Sequence, residues 1–276
     1  MYLYHLGINF VRYYSMKKFL YILILIVFGQ SLDAQEVVNS DYTKGIDAFE
    51  IDKLNNFYFI KDNQILKTDS EFNKLYDYSD KTFGNIYFID VSNPFRVLVY
   101  YKDFNVIVFL DNKLAPLRSP IYLDDLNYFS ADAVCSSSFE SFLVFDSQNT
   151  RINTISKDLV TTQKGTSLYS IVSEQKPVKM KESNNYIFIS FENGYIHVLD
   201  KYANYVDSFF YDGLIDFDCI NDDLYLLGNN ELIAFDINKE KILYYSFEAS
   251  NSIGFKIKND ILYILNKKSL ISFKIL

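Results

Sequence analysis

What most constrains this chain is a unit of about forty residues that it repeats six times, because an even period of that length admits few architectures. The clearest copy runs from Asn221 to Asp236. An apolar run, Leu224-Tyr225-Leu226-Leu227, is broken by Gly228-Asn229-Asn230-Glu231; a second run, Leu232-Ile233-Ala234-Phe235, follows, and Asp236 closes it. Two short apolar runs separated by turn residues predict a hairpin of paired strands. At the ends of the third strands (Asp69, Asp111, Ser156, Asp200, Asp236 and Lys274) the spacings are 42, 45, 44, 36 and 38 residues. Four strands per unit at that period are the signature of propeller blades, and a β-sandwich, the alternative, does not demand so even a repeat.

The expected architecture is therefore all-β: a six-bladed β-propeller of four-stranded antiparallel blades. Blade two reads as Ile86–Ile89, Val97–Tyr100, Val106–Asp111 and a fourth segment near Leu117; blade three ends on Leu159-Val160-Thr161. The Asn193-Gly194 pair predicts a type I′ hairpin, with positive φ at both residues. Gly45, Gly84, Gly213 and Gly254 each stand before a first strand, where the chain turns sharply from blade to blade. The sixth repeat has only three strands before the chain stops, so the mature N-terminus, Glu36 to Tyr42, is expected to supply its fourth and close the ring.

Met16-Lys17-Lys18 precedes ten apolar residues, Phe19 to Phe28, and then Gly29-Gln30-Ser31-Leu32-Asp33-Ala34. A basic head, a short apolar middle and a small residue before the cut make a secretory leader, and the apolar run is half of what a membrane span needs. The expected organisation is an upstream extension and leader over 1–34, cleaved after Ala34, followed by a single domain over 35–276. That places the product in the periplasm or outside the cell, with no span after cleavage, as a monomer or part of a complex. Cys135 and Cys219 fall in the first strands of the third and fifth repeats, too far apart in a ring to bridge; buried free thiols are expected, with a disulfide the alternative.

Composition excludes much. Net charge is −8, and near −10 once residues 1–34 are removed, with no cluster of Lys and Arg, so nucleic acid is not an expected partner. His197 is the one histidine after the leader, and it reads as a strand residue rather than a catalyst. Without a second histidine, triad hydrolysis and zinc chemistry are hard to build. No phosphate loop, dinucleotide fingerprint or calcium loop is present, so no cofactor and no metal is expected. Paired carboxylates across a pocket, as in glycoside hydrolysis, are the one catalytic option the sequence leaves open.

The longest interruption of the repeat, Lys113 to Ala131, holds Arg118, Tyr122, Asp124, Asp125, Tyr128 and Phe129. In four-stranded blades the second-to-third turns and the fourth-to-first connections emerge on one face, so the turn holding Lys102, Asp103 and Phe104 joins them. Aromatics and both charge signs on one rim make a candidate interaction face, with an ordinary exposed loop as the plain alternative.

Asn93-Pro94-Phe95-Arg96 through Val106, running on to Leu110-Asp111-Asn112-Lys113-Leu114, resembles a passage of exported propeller-like proteins of flavobacterial (Bacteroidota) type, and the Ala34-Gln35 junction is similar to their leaders. The resemblance covers the leader and the second repeat. It implies an envelope location and nothing catalytic. Trp-Asp closures and Gly-rich Asp boxes, the marks of better known propellers, are missing; the chain has no Trp at all. Two functions of different class follow as expectations: a scaffold binding envelope proteins on the rim, or a ligand or glycan site in the central channel with carboxylate-based hydrolysis.

Overall fold

The computed structural model describes residues 36–37, 44–172, 175–247, 251–267 and 269–275. The chain divides into a unit Met1–Gln35 and a unit Glu36–Leu276. The leader and its cleavage at Ala34 lie outside the described residues, as do residues 38–42 of the closing segment.

Six four-stranded antiparallel sheets make up the second unit. After β1 (Glu36–Val37), blade one is β2 (Ala48–Ile51), β3 (Phe57–Lys61), β4 (Gln64–Thr68) and β5 (Lys74–Tyr78). Blade two is β6 (Phe88–Asp90), β7 (Val97–Tyr101), β8 (Val106–Leu110) and β9 (Ile121–Tyr122). Blade three is β10 (Ala131–Ser136), β11 (Phe142–Asp146), β12 (Arg151–Ile155) and β13 (Thr161–Lys164). Blade four is β14 (Pro177–Ser183), β15 (Tyr186–Phe191), β16 (Tyr195–Asp200) and β17 (Tyr205–Phe210). Blade five is β18 (Asp216–Ile220), β19 (Asp223–Leu227), β20 (Glu231–Phe235) and β21 (Lys241–Ser246). Blade six is β22 (Ser252–Lys258), β23 (Ile261–Asn266) and β24 (Leu270–Lys274), completed by β1, whose Glu36 and Val37 pair with Ser272 and Ile271.

Burial follows position in the blade. Middle strands are apolar on both faces because each sheet packs between two others: all five residues of β7, β8 and β11 are buried. Outer strands face water, and β5 has no buried residue. The apolar core forms six clusters, one per junction between neighbouring blades. The last joins Phe57 and Phe59 of blade one to Leu265 and Leu270 of blade six, so the ring closes by packing as well as by β1.

The Asp that ends a third strand has a local cause. Asp200 Oδ1 accepts the N–H groups of Tyr202 and Asn204 at 2.8 and 2.9 Å, and Oδ2 accepts from Asn204 Nδ2 at 3.1 Å. Asp69 and Asp111 repeat the pattern. The carboxylate mimics a backbone acceptor and holds a five-residue turn whose fourth residue takes positive φ, 63° at Phe72 and 58° at Ala203. Leu159 occupies that position in blade three, at φ 62°, so it belongs to the turn and not to the expected strand Leu159–Thr161; its side chain still packs on the junction of blades two and three.

Three other local expectations change. Only Gly194 takes positive φ in its hairpin, where its N–H bonds Phe191 O at 3.1 Å; this is a type I turn with a left-handed glycine and not type I′. Gly254 lies inside β22 at a bulge instead of before it. Blade two's fourth strand is split. Pro116 bridges Leu110 and Ile121 pairs with Ile107, so residues 118–120 bulge out of the ladder near the expected segment at Leu117.

Candidate functional site

Blade two builds the candidate rim from two connections. The β7–β8 turn carries Lys102, Asp103 and Phe104, and a short 3-10 turn, Leu123–Leu126, leads from β9 towards β10. Asn105 joins them. Its Nδ2 donates to Asp124 Oδ1 at 2.5 Å and to Tyr128 O at 2.6 Å, its Oδ1 accepts from Tyr100 Oη at 3.2 Å, and its carbonyl accepts from Leu123 N–H at 3.0 Å. Asn105 tolerates the left-handed conformation its turn requires, at φ 54°, which is why Asn suits this position. Asn105 is not among the residues singled out from the sequence; an Asn directly after Phe104 at the end of the turn is the available signal.

The nine candidate residues separate into three groups. Phe104, Tyr122 and Phe129 are 57%, 46% and 59% exposed, and Asp103, Asp124 and Asp125 are exposed beside them. Tyr122 rests edge-on against Phe83 at 6.2 Å. Lys102 and Tyr128 are engaged internally. Lys102 Nζ pairs with Asp132 at 3.0 Å and lies over the Tyr87 ring, whereas Tyr128 is buried and its hydroxyl bonds Thr161 at 2.8 Å. Arg118 stands apart: it sits in the bulge of blade two's fourth strand and donates from Nη1 to Lys157 O, in the β12–β13 turn of blade three, at 2.8 Å. That turn emerges at the end of the sheet opposite the β7–β8 turn, so Arg118 braces two blades away from the aromatic rim.

Around the ring axis the first strands contribute a balanced set of charges that sequence reading did not assemble. Alternate residues of a strand share a face, which brings Lys179 with Lys181 and Asp216 with Asp218 to the axis. Lys179 pairs with Asp216 at 2.7 Å, Lys181 pairs with Asp218, and Lys256 lies between Asp218 at 3.3 Å and Glu50 at 2.8 Å. Three ammonium groups thus face three carboxylates from blades one, four, five and six. Asp90 stitches blade two to blade three by accepting the Ser136 N–H at 2.8 Å. A cavity of about 60 Å³ remains beside Glu50, Asp90, Lys181 and Lys256.

Burial and pairing compete in this network. Burial raises the Asp218 carboxyl, but Lys181 and Lys256 outweigh it and hold the group well below the usual carboxylate range. For Glu50 burial wins over Lys256 and the carboxyl rises. The Lys256 ammonium, which burial alone would lower, is held well above its ordinary value by Asp218 and Glu50.

Cys135 and Cys219 are both buried and free, each on the first strand of its blade. Burial pushes the Cys219 thiol up to about 12. His197 is buried against Phe191 and Tyr195, and burial lowers its pKa, so it serves packing in blade four. Among the described residues no group of three or more His, Cys, Asp or Glu is arranged to hold a metal ion, and no helix is long and apolar enough to cross a membrane.

No family model matches the chain, and no curated protein matches it in sequence. Solved structures do match. A catalytically inactive virginiamycin B lyase from Staphylococcus aureus with quinupristin superposes with a TM-score of 0.63 at 10% identity, covering 88% of this chain and 99% of that one. A streptogramin B lyase gives 0.61 at 12% identity over 88% and 87%. The Neurospora crassa Pan2 WD40 domain gives 0.59 at 9% over 88% and 95%. What they share with this chain is the fold. At such identities the likeness shows a propeller and carries no activity across.

Proposed function

We propose that the protein is an exported propeller scaffold that holds partner proteins in the bacterial cell envelope, through the rim of blade two. One observation carries this reading: Phe104, Tyr122 and Phe129 stand exposed on the β7–β8 turn, at the end of β9 and on the segment after it, which Asn105 ties together, while the channel is occupied by paired charges. Large aromatics held rigidly at a surface, with carboxylates around them, are the composition of a protein-contact patch. The leader over residues 16–34 and the resemblance to flavobacterial exported proteins support the envelope location. A glycan or ligand site in the channel has less support, since the cavity beside Glu50, Asp90 and Lys256, of about 60 Å³, holds a few waters and no sugar ring.

The test is cross-linking and pull-down from envelope fractions with a tagged protein and a Phe104→Ala, Tyr122→Ala, Phe129→Ala variant. All three side chains are exposed, so the variant keeps its fold; Tyr128, buried and bonded to Thr161, is left alone. A specific partner captured by the parent and lost by the variant is the expected result. Equal capture by both, or capture of nothing together with a melting shift on adding an oligosaccharide, would reject the rim.

A further inference from the structure

A cleft on the flank of blade three, against blade two, is lined by polar groups, two of which find no partner among the described residues. Its volume is about 460 Å³, within the range of about 300–1,000 Å³ usual for small-ligand sites. Along β12 the alternation turns Arg151, Asn153 and Ile155 towards blade two; Ile155 completes the apolar junction below, and Arg151 and Asn153 line the cleft above it. Lys164 joins them from β13, where it pairs in register with Asn153.

Two facts separate this cleft from ordinary surface. Asn153 is only 2% exposed, yet its Oδ1 meets no donor among the described residues, and the buried Arg151 Nε meets no acceptor. A buried polar atom without a partner costs about 1–3 kcal/mol, so a donor and an acceptor left so in one cleft point to a ligand that supplies both complements. Asp146, opposite Arg151 in the ladder, does not satisfy it: both its oxygens accept from Asn149, at 3.2 Å from the N–H and 2.8 Å from Nδ2. The cleft thus offers a guanidinium and an ammonium towards an anion, and an amide oxygen towards a donor.

We propose that this cleft binds the free carboxylate end of a peptide or N-acyl amino acid. The carboxylate takes Arg151 Nε–H and Lys164, and the amide N–H of the last residue donates to Asn153 Oδ1. The apolar side chain lies against Leu126 and Val160 at the mouth, where Val160 is 59% exposed. Planar donors on Arg suit a carboxylate, and capture of a chain terminus is a recurrent mode of peptide recognition. A sugar acid is the poorer match, since the one ring in the lining, Tyr128, is 6% exposed and offers no face for stacking. A free phosphate brings acceptors for the cations and a P–OH donor for Asn153 Oδ1, but it leaves the apolar mouth at Leu126 and Val160 unused. The site does not depend on the rim reading, because Phe104, Tyr122 and Phe129 do not line it and its test uses other residues.

The experiment is calorimetric titration of the processed protein with N-acetyl-leucine, N-acetyl-leucinamide, glucuronate and inorganic phosphate, repeated on Arg151→Gln and on Asn153→Leu, with a melting curve for each variant. N-acetyl-leucine is expected to bind, with N-acetyl-leucinamide at least about tenfold weaker and each variant at least about tenfold weaker for the acid, the loss of one charge-assisted or buried hydrogen bond. Arg151→Gln keeps the measurement decisive if Asn153→Leu fails to fold. No heat with N-acetyl-leucine at about 10 mM, a weaker limit than any specific site needs, would overturn the proposal. So would equal binding of acid and amide, or tighter binding of glucuronate or phosphate than of N-acetyl-leucine.

Discussion

Replacing Asp218 with Asn keeps the size of the side chain and removes the charge that two ammonium groups share. Asp218 is 4% exposed and sits between Lys181 and Lys256. Removing one partner of a fully buried pair costs about 3–5 kcal/mol, because the other charge stays behind in a poor solvent. Here Lys256 keeps Glu50 at 2.8 Å, and the Lys181 side chain is 27% exposed and reaches water, so the lower end applies, about 3 kcal/mol. In a domain of this size that lowers Tm by about 6–12 °C. The pH dependence has a definite sign. The folded carboxyl is held below its unfolded value of about 3.9, so its stabilisation is complete above that pH and is lost as pH falls towards the folded pKa. Urea unfolding followed by far-ultraviolet circular dichroism at pH 7, 5 and 3 should therefore show the full gap between parent and Asp218→Asn at pH 7 and 5. At pH 3 the gap should be narrower by about 1 kcal/mol. The control is Asp207→Asn: its pair with Lys239 is 2.8 Å long but 41% and 45% exposed, and its loss should cost under about 1 kcal/mol. If Asp218→Asn costs no more than Asp207→Asn, or if the gap is as wide at pH 3 as at pH 7, the account of the channel network is wrong.

Three further outcomes are expected. With Cys219 pushed up to about 12 and Cys135 raised well above the ordinary thiol range, both by burial, neither should react with a disulfide reagent at pH 8 until the protein unfolds; prompt labelling of the native protein would contradict the packing. Asp200→Ala removes the acceptor of two backbone N–H groups and one amide, and should cost about 1–2 kcal/mol in urea unfolding, recovered in good part by Asn; an unchanged midpoint would show that water serves the turn equally well. A protein beginning at residue 44 lacks β1, so the amides of β24 that face Glu36 and Val37 should lose protection from hydrogen exchange; unchanged protection would mean that closure rests on the apolar junction of blades six and one alone.

The propeller was legible because its signals are local. Apolar runs such as Val97–Tyr101 and Val106–Leu110, a forty-residue period, and Asp or Asn at turns each state their structure within a few residues, and the strands stand where those runs place them. Asp236 and Asp200 were read as strand closures, and the turn geometry supplies the cause. The errors are local competitions. Leu159 looked like strand because it is apolar, but it packs inward from a turn; the Asn193-Gly194 pair carries one left-handed residue instead of two. On the rim, sequence grouped Phe104, Tyr122, Tyr128 and Phe129 on one candidate face; Phe104, Tyr122 and Phe129 are exposed, yet the pattern could not tell that Tyr128 faces inward. Nor could it tell that Arg118 braces the far end of the sheet, because both depend on which neighbouring blade each side chain meets.

By itself, then, the sequence determined the repeat, the strands and the turns, since those follow from side-chain alternation and the conformational preferences of Asp, Asn and Gly. Only the closed ring decided what fills the axis and what the flank of blade three presents. Glu50 and Lys256 lie more than two hundred residues apart and meet at 2.8 Å because the last blade returns to the first. Arg151 and Asn153 are unremarkable strand residues until the loop after β9 comes to line one cleft with them, where Arg151 Nε and Asn153 Oδ1 find no partner among the described residues. Coulombic pairing and desolvation act through space, and a linear pattern with a period of two carries no record of which strands will face one another.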